Sequence, residues 1–257
     1  MDAGEGDFVV AIPARYGSSR LPGKPLREIA GRPLIEHVHD RARESGAAEI
    51  IVATDDERVR TAAEGFGARV VLTSRDHPSG TDRLAEVARL LQWAPERIVV
   101  NLQGDEPLVA PGLIRSLADA LARHADAAIA TLATPIHTTA ELFDPHAVKV
   151  VTDAAGYALY FSRAPIPWDR SAFATTTERL PEDSQHFRHI GLYAYRAGFL
   201  EQYNRSAPCY LERTESLEQL RALWYGARIH VSVIERPPGH GVDTEEDLAR
   251  VAALLQG

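Results

Sequence analysis

Apolar and polar positions along the 257-residue chain alternate with two different periods. Short, nearly continuous apolar runs read as buried strands: DFVVAIPA at 7–14, EIIVATD at 49–55, ARVVLTS at 68–74, RIVVNLQGD at 97–105 and AAIATLATPI at 127–136. Between them, apolar residues recur at helical spacing. PLIEHVHDRARES (33–45, closed by Gly46), DERVRTAAEGFG (56–67), TDRLAEVARLLQW (81–93) and PGLIRSLADALARH (111–124) predict amphipathic helices. Strands separated by helices of this length need crossover connections, so a doubly wound, mostly parallel α/β sheet is expected.

After about residue 135 the pattern changes. AVKVVTDAAGYALYFSR (147–163) predicts two strands around a glycine-containing turn, and HIGLYAYRAG (189–198) a further strand, which makes this portion mixed or antiparallel. The chain then returns through one helix, ERTESLEQLRALWYG (212–226), a strand, RIHVSVIE (228–235), and a closing helix, TEEDLARVAALLQ (244–256). The polar stretch 175–186 is expected to be a mobile loop, and PPG at 237–239 a turn.

Composition is that of an ordinary soluble chain, 45% hydrophobic and 25% charged. No apolar run approaches the ~20 residues that cross a bilayer. The acidic opening MDAGEGDF has no basic stretch leading into an apolar one, so neither a signal peptide nor membrane insertion is expected. One cysteine, Cys209, excludes an intramolecular disulfide, reads as a small apolar filler and suits a reducing cytoplasm. A net charge of −8 argues against nucleic acid as a partner.

The positive charge in IPARYGSSRLPGKPL (12–26) is therefore local, and it points to a small anionic ligand. Gly17 and Gly23 allow close backbone approach, while Arg15, Arg20 and Lys24 can neutralise phosphate oxygens; the spacing is not that of a Walker loop. Open α/β sheets bind ligands at the C-terminal ends of their strands, where four polar clusters fall: residues 15–24, 54–56, 73–83 and 101–107. In NLQGDEP, Asp105 and Glu106 follow an apolar strand, and hard carboxylate oxygens there suit magnesium. Asp243 in GHGVDTEEDL is a second candidate, although taken alone an Asp before Thr-Glu-Glu reads first as the N-cap of the last helix. His186 and His189 form an H-x-x-H pair without a suitable third ligand nearby, so no zinc site is expected. Neither G-x-S-x-G nor G-x-G-x-x-G after the first strand occurs, which argues against a hydrolase and a dinucleotide oxidoreductase.

These stretches, with IVATDD, DHPSGTDRLAEV, YALYFSRAPIPWDR, FRHIGLYAYR and LEQLRALWYG, resemble the 3-deoxy-manno-octulosonate cytidylyltransferases (CMP-Kdo synthetases), nearly in register from Phe8 to the final helix. The resemblance implies a Rossmann-like nucleotidyltransferase fold in a single domain. Residues 1–134 would mainly bind nucleotide, 135–230 would form the sugar-binding and dimerisation portion, and 231–257 would return to the main sheet. It implies a cytoplasmic, magnesium-dependent homodimer that makes CMP-Kdo and pyrophosphate from CTP and Kdo, activating the sugar for lipopolysaccharide biosynthesis. Implied nucleotide contacts are Arg15, Ser18, Arg20, Lys24, Ser79, Gly80, Arg83 and Asp105. Arg15, Lys24, Asp105 and Asp243 would be catalytic, the two aspartates as magnesium ligands. Gln103, Arg163, His189, Tyr193, Glu218 and Gln219 would meet the sugar acid. A related sugar acid, such as 8-amino-Kdo or a sialic-acid-like one, remains an alternative. So does a nucleotide-sugar-dependent glycosyltransferase, although QGDEP has no second aspartate at D-x-D spacing, and so does a noncatalytic nucleotide-binding module.

Overall fold

The computed structural model describes residues 8–17, 20–239 and 241–256. The first half runs β1 (Phe8–Pro13), a 3-10 turn (Lys24–Leu26), a hairpin of β2 (Glu28–Ile29) and β3 (Arg32–Pro33), α1 (Leu34–Glu44), β4 (Glu49–Thr54) and α2 (Glu57–Gly65). Then come β5 (Arg69–Leu72), α3 (Gly80–Leu90), β6 (Ile98–Asn101), α4 (Pro111–Arg123) and β7 (Ile129–Pro135). The second half follows as α5 (Thr139–Phe143), β8 (Lys149–Thr152), β9 (Ala158–Ser162), β10 (Phe187–Arg196) and α6 (Ala197–Arg205). It closes with α7 (Tyr210–Glu215), α8 (Gln219–Trp224), β11 (Ile229–Val233) and α9 (Glu245–Gln256).

Among the described residues, one sheet holds the order β11-β7-β10-β6-β1-β4-β5, with the β8–β9 hairpin attached to β10. β1 pairs in parallel with β4 and β6, β4 with β5, and β11 with β7. β10 runs antiparallel to both β6 and β7. The expected α/β architecture is therefore present, with one refinement: the antiparallel strand sits inside the main sheet and not in a separate portion.

All six residues of β1 are buried, and their alternation distributes them between two helical layers. Phe8, Val10 and Ile12 pack with Ile35 and Val38 of α1 and Ile114 and Leu117 of α4. Ala11 faces the opposite layer, with Leu84 of α3 and Leu200 of α6. Each fully buried aliphatic side chain contributes roughly 1.5–3 kcal/mol by leaving water.

The single helix expected over 212–226 is broken. Ser216 adopts φ 52° and ψ 51°, in the left-handed region, and separates α7 from α8. A buried two-pronged ion pair explains the break: Arg221 Nε donates to Glu212 Oε2 at 2.8 Å, and its NH2 to Glu212 Oε1. In one straight helix these residues would be separated by about 13 Å of rise, too far for such a pairing. α6, α5 and the β2–β3 hairpin were not expected. α6 begins at once after β10, and its second residue, Gly198, lies against Pro95, where a Cβ would come within 3.0 Å. In the 175–186 stretch, Leu180 packs on the small cluster of Ile136, Leu142 and Phe173.

Two histidines, His189 buried and His230 half-buried, make the fold acid-sensitive. His189 of β10 is buried, and burial lowers its pKa to about 3. The single Thr131 hydroxyl proton goes to the carbonyls of Ile190 or Leu192, so Thr131 Oγ1 accepts from His189 Nε2 at 3.0 Å. Burial also lowers His230, helped by the neighbouring His124 and Arg123, to about 4. Both pKa values lie below the unfolded value near 6.5, so in acid the unfolded chain takes up protons that the folded one refuses. The unfolding free energy is expected to be flat in these groups above about pH 7. It should fall as pH drops through about 6.5 towards 4, each group adding a slope of up to about 1.4 kcal/mol per pH unit. Urea titrations at pH 7.5, 6 and 5 check this, and His230→Gln should flatten the curve.

Candidate active site

A cavity of about 500 Å³ opens beyond the carboxyl ends of β1 and β6 and is closed on the far side by β10, α6 and the α7–α8 corner. Its first wall is basic. The chain leaving β1 places Arg15, Arg20 and Lys24 on the cavity. Gly23 takes φ 66° beneath the Tyr16 ring, and Pro25 follows Lys24, so the backbone at Lys24 is pinned. Arg15 is exposed and has no ion-pair partner among the described residues. Ser18, also expected here, lies outside the described residues.

The second wall is acidic and faces the first. Gly104 packs on β1 so closely that a Cβ would lie 2.9 Å from the Pro13 carbonyl oxygen. This brings Asp105 to the cavity, and the Val242 N–H donates to the Asp105 carbonyl at 2.8 Å, which brings in Asp243. Lys24 Nζ donates to Asp105 Oδ2 at 2.6 Å and to Asp243 Oδ1 at 2.9 Å, and Arg20 reaches Asp243 Oδ1 at 3.1 Å. Burial works against the charge of Lys24, but its ion pairs with Asp105 and Asp243 outweigh that and hold its pKa above the usual lysine value.

Helix α9 is capped without the Asp243 carboxylate. Thr244 Oγ1 accepts from the Asp247 N–H, and the Asp247 carboxylate accepts from the N–H groups of Asp243 and Thr244. That reciprocal box leaves the Asp243 side chain to the cations. Glu106, behind Asp105, has its carboxyl pushed up to about 7 by burial and by the negative charges of Asp105 and Asp243.

At the N-terminus of α3, Ser79 caps the helix through Asp82 N–H and donates to Asp82 Oδ2 at 2.7 Å. Gly80 sits where a Cβ would meet Pro13 and Gln103, which keeps this wall flat. Arg83 is buried at the cavity edge, bonded to Thr73 Oγ1 and 3.4 Å from Asp55 Oδ2. The 54–56 cluster thus lies behind the wall, while the other three clusters reach the cavity.

The last wall is aromatic. Tyr193 and Tyr195 share one face of β10, Phe199 and Tyr203 one face of α6, and successive rings stand 5.7, 6.3 and 6.0 Å apart. Gln103, Glu218 and Gln219 complete it. Glu218 is exposed to the cavity; partial desolvation by the surrounding protein, with the charge of Asp82, raises its pKa. Three of the four buried side-chain polar atoms without a partner among the described residues are Asp55 Oδ1, Glu106 Oε2 and the Tyr203 hydroxyl, all in or directly behind these walls.

Arg163 and His189 do not reach the cavity. Arg163 donates to the carbonyls of Glu215, Pro145 and Ser216, which fixes the α7–α8 corner from behind. His189 is buried between Phe161 and Tyr193. Conversely, Tyr195, Phe199, Tyr203, Thr81 and His77 line the cavity without having been anticipated. The aromatic ladder had a readable signal, Y-x-Y at strand spacing followed by F-x-x-x-Y at helical spacing, once the strand-to-helix switch at 196/197 is placed.

The family model for cytidylyltransferases matches residues 9–229. The 3-deoxy-manno-octulosonate cytidylyltransferase of Thioalkalivibrio sulfidiphilus is 59% identical, covering 97% of this chain and 99% of its own length. That of Pseudomonas fluorescens is 58% identical, covering 97% and 98%. A solved structure of CMP:2-keto-3-deoxy-manno-octonic acid synthetase complexed with CTP superposes with a TM-score of 0.88 at 43% identity, over 98% of this chain and 99% of that one. A Leptospira borgpetersenii cytidylyltransferase, 16% identical with a TM-score of 0.63 over 98% of this chain and 87% of its own, shares the fold. Along nearly its whole length, then, the chain belongs to the cytidylyltransferase family.

Proposed function

We propose that this protein transfers the cytidylyl group of CTP to 3-deoxy-manno-octulosonate, giving CMP-Kdo and pyrophosphate. The observation that carries this reading is the division of one cavity into a basic and acidic half and an aromatic, neutral-polar half, in a chain 57–59% identical to relatives named for that activity. The sugar's anomeric hydroxyl attacks the α-phosphorus; a new O–P bond forms, the α–β phosphoanhydride breaks, and the hydroxyl proton passes to solvent. Such a step depends on positioning and charge neutralisation.

Arg15, Arg20 and Lys24 are proposed to hold the triphosphate, and Ser79, Gly80 and Arg83 to border the cytosine. Gln103, Tyr193, Glu218 and Gln219 would meet the sugar hydroxyls, with the sugar carboxylate turned towards the cationic half. Asp105 and Asp243 fit a magnesium ion, since one cation, the Lys24 ammonium, already bridges their oxygens. Among the described residues no cluster of three or more His, Cys, Asp or Glu side chains is arranged to hold a metal, which suits an ion that keeps water and phosphate oxygens as its other ligands. When bound, magnesium neutralises phosphate charge and acidifies the attacking hydroxyl. Arg163 is reassigned to support the corner that carries Glu218 and Gln219.

The product would be consumed in lipopolysaccharide assembly from a cytoplasmic homodimer. For dimerisation the support is the resemblance and two exposed apolar side chains of the second half, Leu159 on the edge strand β9 and Trp168. No helix among the described residues is long and apolar enough to cross a membrane. Incubation with CTP, magnesium and Kdo, with pyrophosphate release followed and UTP as comparison, tests the reaction directly.

Asp105→Asn and Asp243→Asn should each lower kcat/KM by roughly a hundredfold or more. Asp243→Asn should lower Tm only slightly, because that carboxylate does no capping and, at 45% exposure, its ion pairs with Lys24 and Arg20 are partly screened. Thr244→Ala should do the reverse, losing about 1 kcal/mol of stability while turning over normally. Steady-state kinetics and thermal melts of the three variants decide between metal and cap. On the sugar side, Gln219→Ala should raise the Kdo KM roughly tenfold with CTP KM unmoved, the loss of about one hydrogen bond. Arg163→Ala should raise the Kdo KM together with a drop in Tm, and a CTP defect in either variant would place that residue on the wrong wall.

A further inference from the structure

Two carboxylates, Asp105 and Asp243, face two protein cations, Lys24 and Arg20, at 2.6 to 3.1 Å, so the group as a whole carries no net charge. Arg20 reaches in from solvent with 66% of its side chain exposed, whereas that of Lys24 is 14% exposed and its ammonium touches both carboxylates. A small divalent ion ligated by both carboxylates sits at about 2.0–2.1 Å from their oxygens. It would have to stand where the ammonium stands, and two cations in contact repel. The Lys24 backbone cannot retreat, held by Gly23 at positive φ and by Pro25, but the unbranched side chain can swing.

We infer that Lys24 is the protein's own counter-ion for this site, and that the site takes a divalent cation together with a triphosphate and not ahead of it. This rests on the reading that Asp105 and Asp243 hold the metal. A neutral cluster offers a free dication little attraction and an occupied place. Triphosphate oxygens give the ammonium a new partner, so that its departure leaves two carboxylates open on the side where the phosphates bring the metal. Metal and triphosphate then favour each other's binding, and by linkage the enhancement is the same in both directions. Lys24 therefore has two positions, one on the carboxylates and one on the phosphates, and the nucleotide selects between them.

Mn2+ alone, added to protein without nucleotide and followed by the EPR signal of the free ion, tests this. Lys24→Met and Lys24→Gln are expected to bind Mn2+ at least about tenfold more tightly than the unaltered protein. Asp243→Asn on the Lys24→Met background should cancel the gain. In the unaltered protein, Mn2+ with inorganic tripolyphosphate should raise Tm by more than the sum of the two separate additions. Mn2+ affinity no higher in either Lys24 variant, with folding verified by circular dichroism, overturns the inference, and so do simply additive Tm shifts. If Asp105→Asn and Asp243→Asn leave Mn2+ binding in the presence of CTP unchanged, the metal reading itself fails and the inference with it.

Discussion

One ammonium group joins three segments that the sequence keeps far apart. Lys24 lies 81 residues from Asp105 and 219 from Asp243, yet it hydrogen-bonds to both. Each contact needs a specific piece of fold behind it. Gly104 must lie on the Pro13 carbonyl for the β6 turn to reach the loop after β1. The chain before α9 must dock on the Asp105 carbonyl through Val242 for the third segment to arrive. Like charges cannot be gathered this closely without compensation, so the cations of the β1 loop and the carboxylates of the other two segments are conditions for each other's placement.

The same arrangement polarises the cavity. Its basic and acidic side is built from turns at the ends of parallel strands, where backbone bends freely and charge stays near water. Its other side is built from the face of β10, the face of α6 and the α7–α8 corner, elements stiff enough to hold rings in a row. Tyr193 and Tyr195 keep their protons because burial raises both hydroxyls well above the usual tyrosine range. That side offers hydrogen bonds without charge. On the proposed reading, a polyanion and a polyol would be separated by the chemistry of the walls before any single contact discriminates between them.

The corner that completes the site is held from behind. Arg221 pairs with Glu212 across the Ser216 break, and its guanidinium lies 4.2 Å from the centre of the Tyr203 ring. Arg163 ties the same corner to the segment after β9 and to Pro145. The buried Arg221–Glu212 pair, costly to break from one side, and the Arg163 bonds to three carbonyls both act as staples whose loss is felt at the cavity face.

Much of this could be read in the chain itself. Apolar runs of strand length and amphipathic helical spacing are local properties, and they placed β1, β4, β5, β6, β7 and β11, and the helices α1 to α4 and α9, correctly to within a few residues. Glycine, arginine and lysine after β1, and carboxylates after β6, marked the charged half because strand ends in such sheets converge. The rest depended on contacts between distant residues. Periodicity says that β10 is a strand but not that it enters between β6 and β7 in the opposite direction. It favours a continuous helix over 212–226, whereas the Arg221–Glu212 pair and the Arg163 hydrogen bonds hold the left-handed Ser216 corner. Asp243 taken alone reads first as a cap, until Thr244 and Asp247 are seen to cap the helix between them. Arg163 and His189 look like site residues by their neighbours in sequence, yet hydrogen bonds and burial turn them away from the cavity. Most strands, the longer helices and the charged turns were legible in the chain alone, because they follow from each residue's near neighbours. Which side chains share the cavity was decided by the tertiary structure, because that depends on packing and charge pairing between segments up to 219 residues apart.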